Sequence, residues 1–379
     1  MFLELRLSYV VSYNAACGGG CRTDKLIEDN GGEVPANTVN AGGSPQDWLD
    51  QMTKYIKDSK IKCSTCGNAD FTDTQEFNLL FNTSYGSQGT YLRPETAQGV
   101  FINFPHLMHS QRGKLPLGIG QIGKSFRNEI SPGNFIFRQR EFEQMELQFF
   151  CSPDTSMEWY HSWINDCHQW LLGLGLPEHS VRLTEYPSSD LAHYARATTD
   201  IEFKYLHGWD ELWGIAHRGD YDLSTHARAA NKIKQFTVKD ISTGESFIPN
   251  VIEPAVGLDR LVLAILTAAF QEDTVVSKRN VLRLHPSLSP FKVAVLPLQK
   301  KPELMQLANT IFDDLVDVTA ADFDAQGSIG RRYRRQDEIG TPSCVTVDLQ
   351  SLEDQMVTVR DRDTTNQTRI PIAELSKHI

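Results

Sequence analysis

Ser125-Phe-Arg-Asn-Glu-Ile-Ser-Pro-Gly-Asn-Phe-Ile-Phe-Arg-Gln-Arg-Glu-Phe-Glu-Gln-Met-Glu-Leu-Gln-Phe-Phe150 is the stretch whose reading decides the fold. Period-two alternation over its first six residues puts Arg127 and Glu129 on one face of a strand, with Phe126 and Ile130 on the other. Ser131-Pro-Gly-Asn134 is a turn, and Phe135 to Phe150 returns as a second strand on which Arg138, Arg140, Phe142, Gln144 and Glu146 share a face. The expected unit is an antiparallel hairpin that carries arginines, a ring and carboxylates on one surface. Charged strand faces usually serve as exposed, salt-bridged surface. The density of arginine and a ring set among the charges instead suit a nucleotide, because guanidinium groups grip phosphate bidentately and rings stack on bases.

Immediately upstream, Gly118-Ile-Gly-Gln-Ile-Gly123-Lys124-Ser125 satisfies the G-x-x-x-x-G-K-S phosphate-loop pattern. That mechanism needs a buried strand before the loop and a long helix after it. Lys114-Leu-Pro-Leu117 is short and broken by proline, and Phe126 to Pro132 alternates and stops at a proline, so the match is read as chance.

Outward from this centre, residues 1–76 read as an irregular segment, with a helical pattern from Trp48 to Lys60 and an alternating start. Residues 77–285 read as strands with interspersed helices, and 271–290 as a linker. Residues 290–379 read as a small α/β domain, with a buried strand at Phe291–Leu298, an amphipathic helix at Pro302–Val316 and strands at Ser343–Asp348 and Met356–Arg360.

The 379 residues are 40% hydrophobic and 22% charged, which excludes a disordered or coiled-coil chain. The net charge of −11 argues against non-specific coating of nucleic acid, while leaving room for local basic patches. No apolar run reaches about 18 residues, so no membrane span is expected. The odd total of seven cysteines and the lack of a leader pattern point to a reducing, cytoplasmic setting. Cys17, Cys21, Cys63 and Cys66 have two-knuckle spacing that four thiolates could use for structural zinc, against a degenerate site or free thiols. Cys151, Cys167 and Cys344 sit in or beside apolar runs and read as buried.

The stretch Phe126-Arg-Asn-Glu129…Arg138-Gln-Arg-Glu-Phe142 resembles motif 2 of the class II aminoacyl-tRNA synthetases, and Val251-Ile-Glu-Pro-Ala-Val-Gly-Leu-Asp-Arg260-Leu resembles motif 3. Tyr91-Leu-Arg-Pro-Glu-Thr-Ala-Gln-Gly99, Arg140-Glu-Phe-Glu-Gln-Met-Glu146 and Glu211-Leu-Trp-Gly-Ile-Ala-His-Arg-Gly-Asp-Tyr-Asp222-Leu are similar to the bacterial homodimeric glycyl-type branch. Gly327 to Pro342 resembles its anticodon-binding domain. The likeness covers nearly everything from Arg22 onward. It implies an α+β architecture, with an antiparallel-sheet catalytic domain followed by a C-terminal α/β anticodon-binding domain. Residues 1–16 do not resemble motif 1, the helix and strand that build the family's dimer interface. A homodimer is therefore expected from the family, with the interface segment missing from this chain.

The chemistry implied is activation of glycine by ATP and transfer of the glycyl group to the 3′ end of tRNA(Gly). It needs positioning and cancelled phosphate charge rather than a side-chain nucleophile. By resemblance, Arg127, Arg260 and Glu211 are the catalytic group. Arg127 holds the α-phosphate, Glu129 the adenine amino edge and Arg260 the γ-phosphate. Phe142 stacks on adenine and Arg138 meets the bent triphosphate. Asn128, Phe137, Gln139, Arg140, Glu141, Leu212, Gly257, Leu258 and Asp259 complete the implied ATP set. Glycine maps to Arg22, Glu95, Phe142, Glu143, Gln144, Met145, Glu146, Glu253, Pro254, Ala255, Val256 and Gly257, with Glu95, Glu146 and Glu253 supplying charge for the ammonium. Ala255 stands where the family pattern has serine. Glu211 and Glu253 are the carboxylates implied for Mg²⁺. On the residues alone, Glu95 also suits a helix start after Pro94, and Glu211 a surface carboxylate. Arg331-Arg-Tyr-Arg-Arg335 could touch tRNA phosphates or form a solvated helix face. A different class, a non-catalytic synthetase-like tRNA-binding or accessory protein or an inactive fragment, would be expected to have lost the ATP-binding residues.

Overall fold

The computed structural model describes residues 7–12, 20–35, 45–63, 67–130, 132–240, 244–274 and 278–379. In chain order they begin with β1 (Leu7–Ser12), β2 (Gly20–Arg22), α1 (Thr23–Asp29), α2 (Pro45–Asp58), β3 (Gln75–Asn78), β4 (Asn82–Tyr85), β5 (Gln88–Tyr91) and α3 (Ala97–Ser110). Next come β6 (Leu117–Phe126), β7 (Glu141–Cys151), α4 (Ser156–Gly173), β8 (Val181–Glu185), β9 (Ala197–Tyr205), β10 (Gly208–Gly219) and α5 (Tyr221–Ala229). They continue with α6 (Ile233–Phe236), β11 (Val238–Lys239), β12 (Ser246–Phe247), β13 (Asn250–Gly257), α7 (Leu258–Ala269), β14 (Phe270–Asp273) and β15 (Arg279–Leu282). The last are β16 (Val293–Pro297), α8 (Pro302–Val316), β17 (Ala321–Phe323), α9 (Ile329–Ile339), β18 (Ser343–Val347), α10 (Ser351–Asp354), β19 (Met356–Asp361), β20 (Gln367–Pro371) and α11 (Leu375–His378). The largest sheet has the order β6-β7-β13-β10-β9-β8. No helix among the described residues is long and apolar enough to cross a membrane.

The chain divides into two compact units. The first comprises Met1–Tyr160, Glu185–Thr198 and Trp213–Arg260, and the second His161–Thr184, Thr199–Leu212 and Leu261–Ile379.

In the first unit the deciding stretch does pair antiparallel, but its strands lie farther out than the alternation suggested. Leu117 opposes Phe150 and Phe126 opposes Glu141. Residues 127–140 are therefore the connection, and Arg127, Glu129, Arg138 and Arg140 sit on a loop rather than a strand face. Asn134 and Phe135 both have positive φ (54° and 57°), which extended backbone cannot hold. The loop is closed at its base by the Arg127 N–H donating to Arg140 O at 3.0 Å, and inside it by the Gly133–Arg138 bridge. Gly118 to Lys124 is itself strand, with no helix following, so the phosphate-loop pattern is coincidental.

β7 is buried on both sides toward its end. Phe150 packs under α3, where Phe104 approaches it at 4.7 Å between ring centres, and Phe149 turns to the opposite face against Trp159 at 4.8 Å. Ala97, Val100, Phe101, Phe104 and Met108 of α3 close this core with Leu223, Ala227 and Val251. Burying each such large side chain contributes about 1.5–3 kcal/mol. The expected irregular segment 1–76 instead holds a three-stranded sheet, β2-β1-β3, and two helices. Trp48, Met52 and Ile56, four residues apart on α2, pack with Leu26, Ile27, Ile61, Cys63 and Phe71. Cys17 and Cys66 lie outside the described residues, as do the side chains of Cys21 and Arg22. Among the described residues no group of His, Cys, Asp or Glu could hold a metal ion, which leaves the zinc expectation untested.

In the second unit, the apolar run Val293–Pro297 is a strand buried at every residue. α8 lays Leu304, Ala308, Ile311 and Leu315 against one face of it, with Val345, Val347 and Val357 alongside. Its other face (Ala294, Leu296) meets Ile329 and Tyr333 of α9. The sheet order is β17-β16-β18-β19-β20, parallel through β17, β16 and β18 and antiparallel beyond. α9 ends at Gly340, whose φ of +82° and approach to Leu284 (a Cβ would lie 2.8 Å from Cδ1) admit only glycine. The expected linker at 271–290 contains the β14–β15 ribbon. Arg279 is buried there, donating to Asp273 (2.7 Å) and to Asp337 (2.8 Å). The basic cluster on α9 is mostly engaged by contacts within the unit. Arg332 is buried and donates to Gly327 O at 2.8 Å, Arg335 to Asp324 at 2.8 Å, and Arg334 to Lys278 O. Arg331 is exposed.

Candidate functional site

Phe142, Gln144, Glu146 and Gln148 of β7 share one face of the sheet and form the floor of a depression in the first unit. Gln144 lies between Gly123 of β6 and Gly257 of β13, and Glu146 between Gln121 and Ala255. One strand farther, Gly214 pairs with Ala255 and Ala216 with Glu253. Small residues thus ring two polar side chains, leaving room above the sheet. Arg93 lies across Gly123, where a Cβ would fall 2.6 Å from its guanidinium, and its Nε donates to Lys124 O at 2.7 Å.

Carboxylates crowd the deep end. Glu146 and Glu253 are both buried, and Glu95 is half-buried. Thr96 stands at the N-cap of α3 without capping it; its hydroxyl donates to Glu146 instead. Glu253 accepts from Gln148 Nε2 (3.0 Å) and Arg218 Nη1 (2.7 Å). The remaining edge of Arg218 grips Asp222 at 2.7 and 3.0 Å. Gln98 donates to Glu95 (2.9 Å), and its carbonyl meets His226 Nε2 at 3.0 Å. Burial pushes the Glu253 carboxyl up to about 7, and the neighbouring Glu146 and Glu95 add to the rise against Arg218. Burial likewise raises Glu146, with Glu95 adding, against the Thr96 hydrogen bond and the charges of Arg127 and Arg218. For Arg218 burial works against the charge, yet Glu253 and Asp222 more than offset it and hold the proton firmly. Arg218 lies at a β-bulge, where the register with β13 slips between His217 and Gly219.

At the shallow end stand the nucleotide candidates. Arg127 lies 5.3 Å from the Phe142 ring centre and donates to Pro94 O at 3.1 Å. Arg260 stacks on Phe137 at 4.1 Å and donates to its carbonyl at 3.1 Å. Arg138 and Arg140 are exposed on the loop, with Arg140 Nε donating to Glu129 O at 3.2 Å and Gln139 donating to Ile136 O.

The structure sorts the remaining expected residues by strand alternation. Glu143, Met145, Pro254 and Val256 alternate to the face of the sheet opposite Gln144, Glu146, Glu253 and Ala255, so they offer the depression only backbone. Lys124 shares that opposite face, paired with Glu141. Asn128 is tied to residues 78–79 through Asn78 O (3.2 Å) and Leu79 O (2.7 Å). The Asp259 carboxylate accepts from the Glu143 N–H at 3.0 Å, stapling the first turn of α7 to β7. Leu258 is half-buried beside it. Leu212 is buried and Glu211 exposed, both in the second unit. Glu253 does not suit a metal: both oxygens are engaged, and burial favours its neutral form. Glu211 has the exposure a hydrated cation requires.

Thr96, Gln98, Arg218 and Asp222 lie in the segments that carry the resemblance, but sequence reasoning gave them no role. The four-residue spacing of Arg218 and Asp222 was visible; the Thr96–Glu146 bond, spanning 50 residues, was not.

Residues 80–269 match the family model described as the tRNA synthetase class II core domain (G, H, P, S and T), and residues 292–379 match the anticodon binding domain. The chain is 50% identical over 365 residues to a glycine–tRNA ligase of Bacillus cereus, covering 95% of this chain and 78% of that protein. It is 50% identical over 370 residues to the glycine–tRNA ligase of Alkaliphilus oremlandii (96% and 78%). With that of Geobacillus kaustophilus it shares 49% over 366 residues (95% and 78%).

Proposed function

The chain belongs to the glycine–tRNA ligases of the class II synthetase family, and from that premise we propose that glycine is activated in the depression over β7. The supporting observation is a floor of Gly123, Gly214, Ala255 and Gly257 beside three carboxylates, Glu95, Glu146 and Glu253, of which Glu253 alone is paired with the buried Arg218 guanidinium. Such a site attracts a compact cation with no side chain. The glycine ammonium supplies the missing positive charge. An added methyl would meet an overpacking penalty of about 1–3 kcal/mol if the floor cannot yield.

The glycine carboxylate oxygen attacks the α-phosphorus of ATP, a P–O bond forms, and the bond to the β-phosphate breaks with release of pyrophosphate. Arg127 holds the α-phosphate, close enough to Phe142 for adenine to lie along the same ring. Arg260, at the first turn of α7, swings from Phe137 to the γ-phosphate. Arg138 and Arg140 reach in from the loop. A hydroxyl oxygen of the tRNA 3′-terminal ribose then attacks the glycyl carbonyl carbon. The ester bond forms, the anhydride C–O bond breaks, AMP leaves, and the hydroxyl proton passes to its phosphate. Magnesium, which class II synthetases use with ATP, would neutralise phosphate charge. Residues 292–379 carry the contacts to the anticodon stem, with the exposed Arg331 among them.

Glycine-dependent ATP–pyrophosphate exchange tests this reading. Exchange is expected with glycine, less with alanine, and falling at least about 100-fold in Arg127→Ala, the scale of a lost transition-state charge contact. Exchange driven by another amino acid, or unaffected by Arg127→Ala, overturns it.

A further inference from the structure

We propose that His226 is a positioning residue for glycine recognition: through the Gln98 amide it aims the Glu95 carboxylate at the ammonium. The inference rests on the function proposed above and deepens it.

α3 and α5 pack together, with Phe101, Leu223 and Ala227 in one core. Gln98 lies in the first turn of α3, with Phe101 three residues on. Asp222 and His226, four residues apart, share a face of α5. Gln98 Nε2 stands 2.9 Å from Glu95 Oε1 and 3.5 Å from Asp222 Oδ1, and Gln98 Oε1 stands 3.0 Å from His226 Nε2. The His226 ring leans on Phe101, with 6.4 Å between centres and 45° between planes.

Chemistry fixes the direction of these bonds. A carboxylate only accepts, so the side of the amide that faces Glu95 and Asp222 carries the N–H groups. The other side is then the carbonyl, which needs a donor, and the imidazole supplies it as Nε2–H. His226 is half-buried, and that burial holds its pKa below the ordinary histidine value against the pull of Asp222, so the ring is neutral near pH 7. Without the imidazole N–H the carbonyl loses its partner, and the amide no longer has one preferred orientation toward Glu95.

The three glutamates are oriented alike. Glu146 accepts from Thr96, Glu253 from Gln148 and Glu95 from Gln98. Neutral donors set the direction of a carboxylate and leave its charge for the ammonium, the work of a supporting layer behind a binding site. α5 reaches two of the three: Glu253 through Asp222 and Arg218, and Glu95 through His226 and Gln98.

Two substitutions separate the hydrogen bond from the packing. His226→Phe keeps a ring against Phe101 and removes the donor, whereas His226→Gln removes the ring and keeps an N–H near the place of Nε2. In pyrophosphate exchange by the full chain, His226→Phe is expected to raise KM for glycine at least about fivefold. Its kcat and its KM for ATP should stay within about twofold, because an ammonium contact made equally before and during reaction is uniform binding. His226→Gln is expected to stay within about twofold of the parent throughout. Gln98→Met should raise the glycine KM at least as far, and adding His226→Phe to it should change nothing further, since the ring acts through the amide. His226→Leu takes the place of His226→Phe if the larger ring prevents folding. The proposal is overturned if loss of the donor leaves the glycine KM unaltered, if His226→Gln is the more damaging variant, if kcat or the KM for ATP changes in step, or if the double variant multiplies the single effects. A parent chain that exchanges with another amino acid and not with glycine overturns the function proposed above. The same ratios, read on that amino acid's KM, then still judge the relay from His226 to Glu95.

Discussion

In the second unit Asp337 accepts from both Arg279 and Arg360, and Asp273 from Arg279 and Arg283. In the first unit Arg218 is shared between Asp222 and Glu253, while Glu146 and Glu95 stand close by. Both clusters are buried and use the same chemistry. They differ in balance: three guanidinium groups for two carboxylates in one, and one for several in the other. In the first, no carboxylate is short of a cation, and the cluster fastens β14, β15, α9 and β19 together. A cluster short of positive charge is held ready for a cation from outside, and burial keeps it from being satisfied by water.

The comparison breaks most visibly at Asp337. Asp337→Ala leaves Arg279 and Arg360 buried without their shared partner and is expected to cost about 3–5 kcal/mol, read as a lower denaturant midpoint for the second unit. Glycine-dependent exchange at low temperature should survive. Glu146→Ala should do the reverse, lowering kcat/KM for glycine by about 100- to 1,000-fold, equivalent to roughly 3–4 kcal/mol, with melting unchanged or raised. If both variants lose stability alike, the distinction between fastener and site is wrong.

A pH series sharpens it further. With the folded Glu253 carboxyl near 7, above the usual 4.5, its contribution to stability is fully present below 4.5 and is lost as pH rises through 7. Glycine binding needs the ionised form, so KM for glycine should rise about tenfold per pH unit below 7. Stability and affinity are therefore expected to move in opposite directions across that window, and Glu253→Gln should flatten both curves. The smallest effect belongs to Lys124→Ala. Its exposed pair with Glu141 faces away from the depression, so nucleotide affinity should stay within about twofold.

Much of the frame was legible. α8 begins and ends where its periodicity and its proline at the first turn placed it, and the apolar run after Lys292 is a strand buried on both sides. Alternation along β7 also divided its side chains correctly, since Phe142, Gln144 and Glu146 do share a face. The ends of the strand pair were not legible, because β6 alternates exposed and partly buried residues with glycine at every other early position. α9 was read as a charge run because its buried Arg332, Gln336 and Asp337 find partners far along the chain; Arg279 is 58 residues from Asp337. The same holds in the site. The three glutamates were readable as a group, but the hydroxyl and amide that orient two of them become neighbours only when α3 closes over the sheet.

The bulge at Arg218 carries an evolutionary consequence. One extra residue there aims a guanidinium sideways, so that a single side chain holds both Glu253 of β13 and Asp222 of α5. Deleting that residue would restore regular pairing and part β13 from α5, because the guanidinium that joins Glu253 to Asp222 would be gone. Insertions and deletions should therefore be tolerated along this chain almost anywhere sooner than between His217 and Asp220.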